Sequence, residues 1–109
     1  MNTNNIRLML NKYDRIIFNN EINNSEVILT LQRTNCNSFL GSFTGYIMGG
    51  YPFGLILLNK KLNKIDSIKD VLVHEMVHCI QAIRGYEIDH GEFFKSERAR
   101  INKHFNINI

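Results

Sequence analysis

The sequence predicts an α+β domain, with a small and mainly antiparallel sheet between an N-terminal helix and two C-terminal helices. Apolar residues recur at helical spacing near the N-terminus and again in two segments after residue 66. Between these segments, residues 27–58 contain short apolar runs separated by turn signals, a pattern typical of strands. Strands grouped in one stretch and helices in others favour the α+β class over alternating α/β folds.

Length and composition predict one globular domain spanning residues 1–109. The chain is 44% apolar and 21% charged, which suits a single core. Its apolar runs fall far short of the roughly 20 residues that cross a bilayer. The N-terminus has no secretory signal pattern, and two cysteines do not suggest a disulfide scaffold. We therefore expect a monomer that is cytoplasmic or nuclear, not secreted and without a membrane partner.

Asparagine and isoleucine are both unusually frequent in this chain. Each occurs fifteen times among the 109 residues. We interpret this pairing as the bias of an AT-rich genome, such as that of a virus or an AT-rich microbe. A viral origin would place the protein in the cytoplasm or nucleus of the host.

The first predicted helix ends near Phe18, and a turn follows at residues 23–25. Val27, Leu29 and Leu31 then alternate with other residues, which predicts a strand with one buried face. The first helix has apolar residues at helical spacing, namely Ile6, Met9, Leu10, Tyr13 and Ile17.

A β-hairpin is predicted next. Residues 38–48 and 53–58 are its strands, and Gly49-Gly50-Tyr51-Pro52 marks the turn between them. Gly41 and Gly45 within the first of these strands indicate bulges or a close approach of another backbone.

Two helices complete the chain. Ser67, with Asp70 three residues later, resembles a capping box that starts the first of them, and Gly85 is a natural residue to end it. The second helix is predicted from about Gly91 to Phe105.

The first of these two helices contains the sequence His74-Glu75-Met76-Val77-His78. Histidines at i and i+4 project from one helix face and can hold one tetrahedral ion. Glu75 is rotated away from a ligand position and is placed to serve as a general base, as in HExxH metalloproteases. A helix with ordinary buried histidines is the alternative, but two histidines and an acid are costly to bury unless something binds them.

A catalytic zinc site needs a third protein ligand and an open position. Glu92 and Glu97 are available in the last helix, and His90 and His104 are the remaining imidazoles. We favour His90, because the short return from Gly85 can swing its ring back toward the first pair.

Several segments together resemble the SprT-like metallopeptidases, the family of the DNA–protein crosslink protease Spartan. These segments are Tyr13-Asp14-Arg15-Ile16-Ile17-Phe18, Ile56-Leu57-Leu58-Asn59, the HEMVH motif, HGEFF and the following RIN. The resemblance covers nearly the whole chain in the same motif order. It implies a minimal zincin-like fold, one catalytic Zn²⁺ held by His74, His78 and His90, and Glu75 as the catalytic glutamate.

The resemblance also implies a substrate protein that is bound or crosslinked to DNA. Contacts to single-stranded or junction DNA are expected from the basic residues of the last helix, namely Lys95, Arg98, Arg100 and Lys103. A cysteine-rich zinc ribbon, which many members carry, needs four thiolates, and this chain has two cysteines. The alternative function is a DNA-binding module with a structural zinc ion and negligible proteolysis.

Overall fold

The computed structural model describes residues 1–109 and confirms the α+β class. It contains four helices and a three-stranded sheet. In chain order the elements are α1 (Thr3–Ile17), α2 (Glu21–Asn24), β1 (Ile28–Thr34), β2 (Gly41–Met48), β3 (Tyr51–Asn59), α3 (Ile65–Ile83) and α4 (Glu92–His104). No helix combines the length and the hydrophobicity that a bilayer crossing requires.

The short helix α2 replaces part of the turn that the sequence predicted at residues 23–25. A side chain from α1 stabilises this short helix. The carboxylate of Asp14, which is fully buried, accepts the backbone N–H groups of Ile22 at 3.0 Å and Asn23 at 2.9 Å. These donors belong to the first turn of α2 and have no partner within the helix itself. A contact from another helix therefore stabilises four residues that are too few to be helical alone.

The sheet has the strand order β1-β3-β2 and is mixed. Strands β2 and β3 form the predicted antiparallel hairpin, joined by Gly49 and Gly50. Both glycines have positive φ, at 59° and 81°, as a two-residue hairpin turn requires. Strand β1 instead pairs in parallel with β3, so β1 and β2 are the two edges.

Helix α3 is the central helix of the core. Ten of its nineteen residues are buried, including the fully buried Leu72, Met76 and Ile80. It packs with α1 and with the sheet in one cluster of 21 buried apolar residues. Each fully buried aliphatic side chain contributes about 1.5–3 kcal/mol to folding. Side chains on α3 are consequently held by packing on nearly all sides.

The start of α3 differs from the prediction. The helix begins at Ile65 with Lys64 as the N-cap residue, and no side chain caps it. The predicted capping box at Ser67 is wrong, because Ser67 is the third residue inside the helix, and Asp70 bonds to another part of the chain. Its carboxylate accepts the backbone N–H of Asn108 at 3.0 Å.

The end of α3 agrees with the prediction at Gly85. This glycine has φ of 74° and donates its N–H to Ala82 O at 3.1 Å. The next residue, Tyr86, donates to Gln81 O at 2.8 Å. These two bonds form a Schellman motif. The chain therefore reverses sharply at this point and returns along the end of α3.

Gly41, the first residue of β2, lies against α3. A Cβ at this position would overlap Cγ1 of Val71 and lie 3.2 Å from Oε2 of Glu75. A close approach is therefore present, but side chains of α3 make it and not the backbone that was predicted. Gly45 has ordinary room, since the nearest atom to its Cβ position is 3.5 Å away, in the ring of Phe43.

The pair of glycines provides a matched test of this contact. We expect Gly41→Ala to lower the free energy of unfolding by about 1–3 kcal/mol, as other insertions into packed contacts do. Gly45→Ala should change it by less than about 1 kcal/mol. Urea denaturation of both variants measures the difference. Equal losses in the two would show that β2 and α3 do not make the tight contact described.

Candidate metal centre

His74 and His78 lie on one face of α3, with ring centroids 5.1 Å apart. His78 is buried and His74 is half-buried. The spacing of four residues brings both rings to the same side of the helix. Because α3 is packed on nearly all sides, the core holds these two side chains in position.

His90 reaches the pair from the loop between α3 and α4. Its Nε2 atom lies 3.2 Å from Nε2 of His78 and 3.2 Å from Nε2 of His74. Nitrogen ligands of a tetrahedral ion, with bonds of 2.0–2.1 Å, lie about 3.3 Å apart. The potential metal-ligand atoms of the three side chains all lie within 4.8 Å of one another. The three histidines are thus positioned to bind one metal ion, and three neutral imidazoles suit a transition metal.

Two hydrogen bonds hold the loop that carries His90. The side chain of Gln81 donates from Nε2 to the backbone O of Asp89 at 3.0 Å. The Asp89 carboxylate in turn accepts the N–H of Gly91 at 3.0 Å. Together with the turn at Gly85, these bonds direct residue 90 toward α3.

Phe94 forms the floor of the cluster. Only 1% of its surface is exposed, and its ring centroid lies 4.8 Å from that of His74, 5.0 Å from that of His78 and 4.6 Å from that of His90. In the sequence, Phe94 stood out only as part of the HGEFF segment. It lies in the first turn of α4, whose N-cap residue Gly91 directly follows His90, and this proximity in the chain is the signal that links it to the site.

Burial and the neighbouring imidazoles favour the neutral form of His74 and His78. The pKa of His74 is lowered to about 4, first by burial and then by the nearby His78, His90 and Arg98. Burial also lowers the pKa of His78, against an opposing contribution from its hydrogen bond to Gln81. A neutral imidazole has the free lone pair that a metal requires.

Glu75 lies beside the cluster and is 5% exposed. Burial raises the pKa of its carboxyl group to about 7, within the range suited to a general base and acid at neutral pH. Glu75 and His74 line the same open cleft, with a volume of about 380 Å³. Its lining residues are Leu40, Gly41, Asp70, Val71, His74, Glu75, Asn108 and Ile109.

The other candidate ligands lie outside the cluster, which consists of the three histidines. Glu97 forms an ion pair with Arg100, with oxygen–nitrogen distances of 2.7 and 3.1 Å. Glu92 and His104 are exposed at the two ends of α4. Cys79 is fully buried, and burial raises the pKa of its thiol to about 12, so it is an inert apolar side chain.

The four basic residues predicted to contact DNA differ in their surroundings. Lys95, Arg98 and Lys103 are exposed and form no ion pair. Arg100 is half-buried and is held by Glu97.

A packed helix with two histidines and an intervening glutamate, joined by a third histidine from the next loop, defines a metallopeptidase-type domain. The chain belongs to the SprT-like family, whose model matches residues 6–109, essentially the whole chain. Comparison with curated proteins and with solved structures gave no significant match.

Proposed function

We propose that this protein is a zinc-dependent metallopeptidase. The observation that carries the proposal is the convergence of three imidazole Nε2 atoms beside a buried glutamate, on a helix fixed by the core. Three histidine ligands leave the fourth position of a tetrahedral zinc ion open, as catalytic zinc sites do. A structural site is closed and does not need an acid next to it.

The residues of the chain have separate tasks in this proposal. When bound, zinc would polarise the scissile carbonyl and lower the pKa of water. Glu75 accepts a proton from the attacking water and then delivers it to the leaving amine. The cleft shared by Glu75 and His74 is the space where the scissile bond would lie.

Strand β2 is the proposed binding edge for substrate. It is an edge of the sheet, and its first residue, Gly41, contacts the helix that carries Glu75. An extended peptide can add to such an edge through main-chain hydrogen bonds. Ile47 and Met48 on this strand are 78% and 59% exposed, which leaves apolar surface for substrate side chains. Recognition through the main chain would give little sequence preference.

The experiment that tests the peptidase proposal measures metal content and proteolysis on the same preparation. One zinc ion per chain, with cleavage of a basic DNA-binding protein that disappears in Glu75→Gln, supports it. Bound zinc without any cleavage would contradict it and would favour the alternative of a DNA-binding module with a structural ion.

We further propose that the substrates are proteins held on DNA, with DNA acting as a tether. Support comes from three exposed cationic side chains on α4, the helix that starts two residues after His90. The net charge of +3 is mild, so binding to DNA should be weak and steeply dependent on salt. A substrate on the same DNA would be cut because its concentration near the site rises.

Reversing charge on α4 tests the tether. We expect the double variant Lys95→Glu, Lys103→Glu to slow cleavage of a DNA-bound protein and to leave cleavage of a short free peptide unchanged. The slope of log affinity against log salt should fall by about 2, since each lost phosphate contact removes about 0.9. Arg98 is left intact because its charge acts on His74.

The matched control for this test is Lys60→Glu, Lys61→Glu, which reverses two exposed lysines just after β3. This control variant should cleave both the DNA-bound protein and the free peptide at the parent rate. Equal slowing of both substrates by the α4 variant would show damage to α4. Slower cleavage of the DNA-bound protein by the control variant alone would place the DNA contact at Lys60 and Lys61.

A further inference from the structure

Gln81 forms hydrogen bonds to one histidine of the cluster and to the loop that carries another. It lies one turn after His78 on α3 and is 1% exposed. Its Oε1 atom lies 2.7 Å from Nδ1 of His78, the ring nitrogen that faces away from the cluster. His74 and His90 have no protein partner at Nδ1, so His78 is the single histidine of the site with such an anchor.

The polarity of this hydrogen-bond chain has only one solution. The backbone O of Asp89 accepts hydrogen bonds and cannot donate. The Gln81 group facing it at 3.0 Å must therefore be the NH₂ group, which leaves Oε1 toward His78. An amide oxygen also only accepts, so Nδ1 of His78 must carry the proton. The lone pair of the neutral ring is then on Nε2, the atom that faces His90.

We infer that Gln81 is a positioning residue that sets the tautomer of His78 for metal binding and ties the loop of His90 to α3. The role in metal binding rests on the proposed function. The tautomer of His78 is a property of the metal-free protein and can be measured without it. One amide serves both ligands, since it holds the ring of His78 and the carbonyl of the residue before His90.

Two substitutions separate the two bonds. Gln81→Glu keeps an acceptor for Nδ1 of His78 but places a carboxylate oxygen against the backbone O of Asp89. Gln81→Leu removes both bonds and leaves a branched apolar side chain that is one atom shorter. Loss of an outer hydrogen-bond partner typically weakens metal binding about 10–100-fold.

Asn59 offers a matched control, because it is another buried amide that bonds to loop carbonyls. It is 2% exposed and donates to the backbone O atoms of Cys36 and Phe39 at 2.6 and 3.1 Å. Asn59→Leu removes bonds of the same kind without contact to the histidines, so it reports the effect of lost stability alone.

The experiment is long-range ¹H–¹⁵N correlation NMR of the imidazoles in the metal-free protein, followed by zinc titration. The parent and Gln81→Glu should show His78 protonated at Nδ1, and Gln81→Leu should show a mixture of tautomers. Zinc affinity should fall about 10–100-fold in Gln81→Leu and stay unchanged in Asn59→Leu.

Protonation of His78 at Nε2 in the parent would overturn the inference without any variant. An unchanged tautomer and affinity in Gln81→Leu would also overturn it. A protein that binds zinc with the expected tautomer but cleaves nothing would instead refute the peptidase proposal and leave the role of Gln81 standing.

Discussion

Glu75→Gln is expected to reduce peptide hydrolysis about 10²–10⁴-fold, the range that a positioned general acid–base group contributes. The amide has the same shape as the carboxyl group but cannot take a proton from water. Glu75 is also absent from the cluster of ligand atoms, so zinc should remain bound. The fold should be intact, because a neutral side chain is easier to bury than a charged one.

Initial rates on a short peptide, zinc stoichiometry and a thermal melt measure these outcomes. Glu97→Gln is the control, since it makes the same chemical change in a glutamate that pairs with Arg100 away from the histidines. The control should retain the parent rate. Hydrolysis by Glu75→Gln at the parent rate would show that another group moves the proton.

His90→Ala is expected to weaken zinc binding by more than about 100-fold, because loss of an outer-shell partner alone costs about 10–100-fold. The variant keeps two of the three ligands, both on α3. Zinc binding also stabilises the folded state by mass action. The rise in melting temperature that zinc produces in the parent should therefore largely disappear in His90→Ala.

His104→Ala and Glu97→Ala are the matched controls for the third ligand. His104 is an exposed histidine at the end of α4, and Glu97 was the carboxylate alternative for the site. Neither should alter zinc affinity measurably. Equal affinity in His90→Ala and the parent would transfer the ligand role to Glu92 or Glu97.

Local signals in the sequence determined much of the fold. Helical spacing places the apolar side of α1 on the core, and an isolated Gly85 after an apolar run ends α3 in a Schellman motif. Gly49 and Gly50 supply the positive φ angles of the hairpin turn. The facing pair His74 and His78 follows from helix geometry alone. Each of these features depends on residues within a few positions of one another, so the sequence predicts them without knowledge of the packing.

The tertiary structure alone decided the features that depend on contacts between distant residues. The helix α2 depends on Asp14, and Asp70 bonds to the backbone of residue 108 and not to the start of its own helix. The parallel pairing of β1 with β3 also belongs here. The sequence favoured His90 over Glu97, but only the folded loop shows its Nε2 atom 3.2 Å from those of His74 and His78. Periodicity carries no information about such pairs, because a buried polar group takes whichever partner the packed chain brings within hydrogen-bond distance. Gln81 shows this most clearly: its spacing from His78 is local, but its role depends on the carbonyl of Asp89, which only the folded loop places beside it.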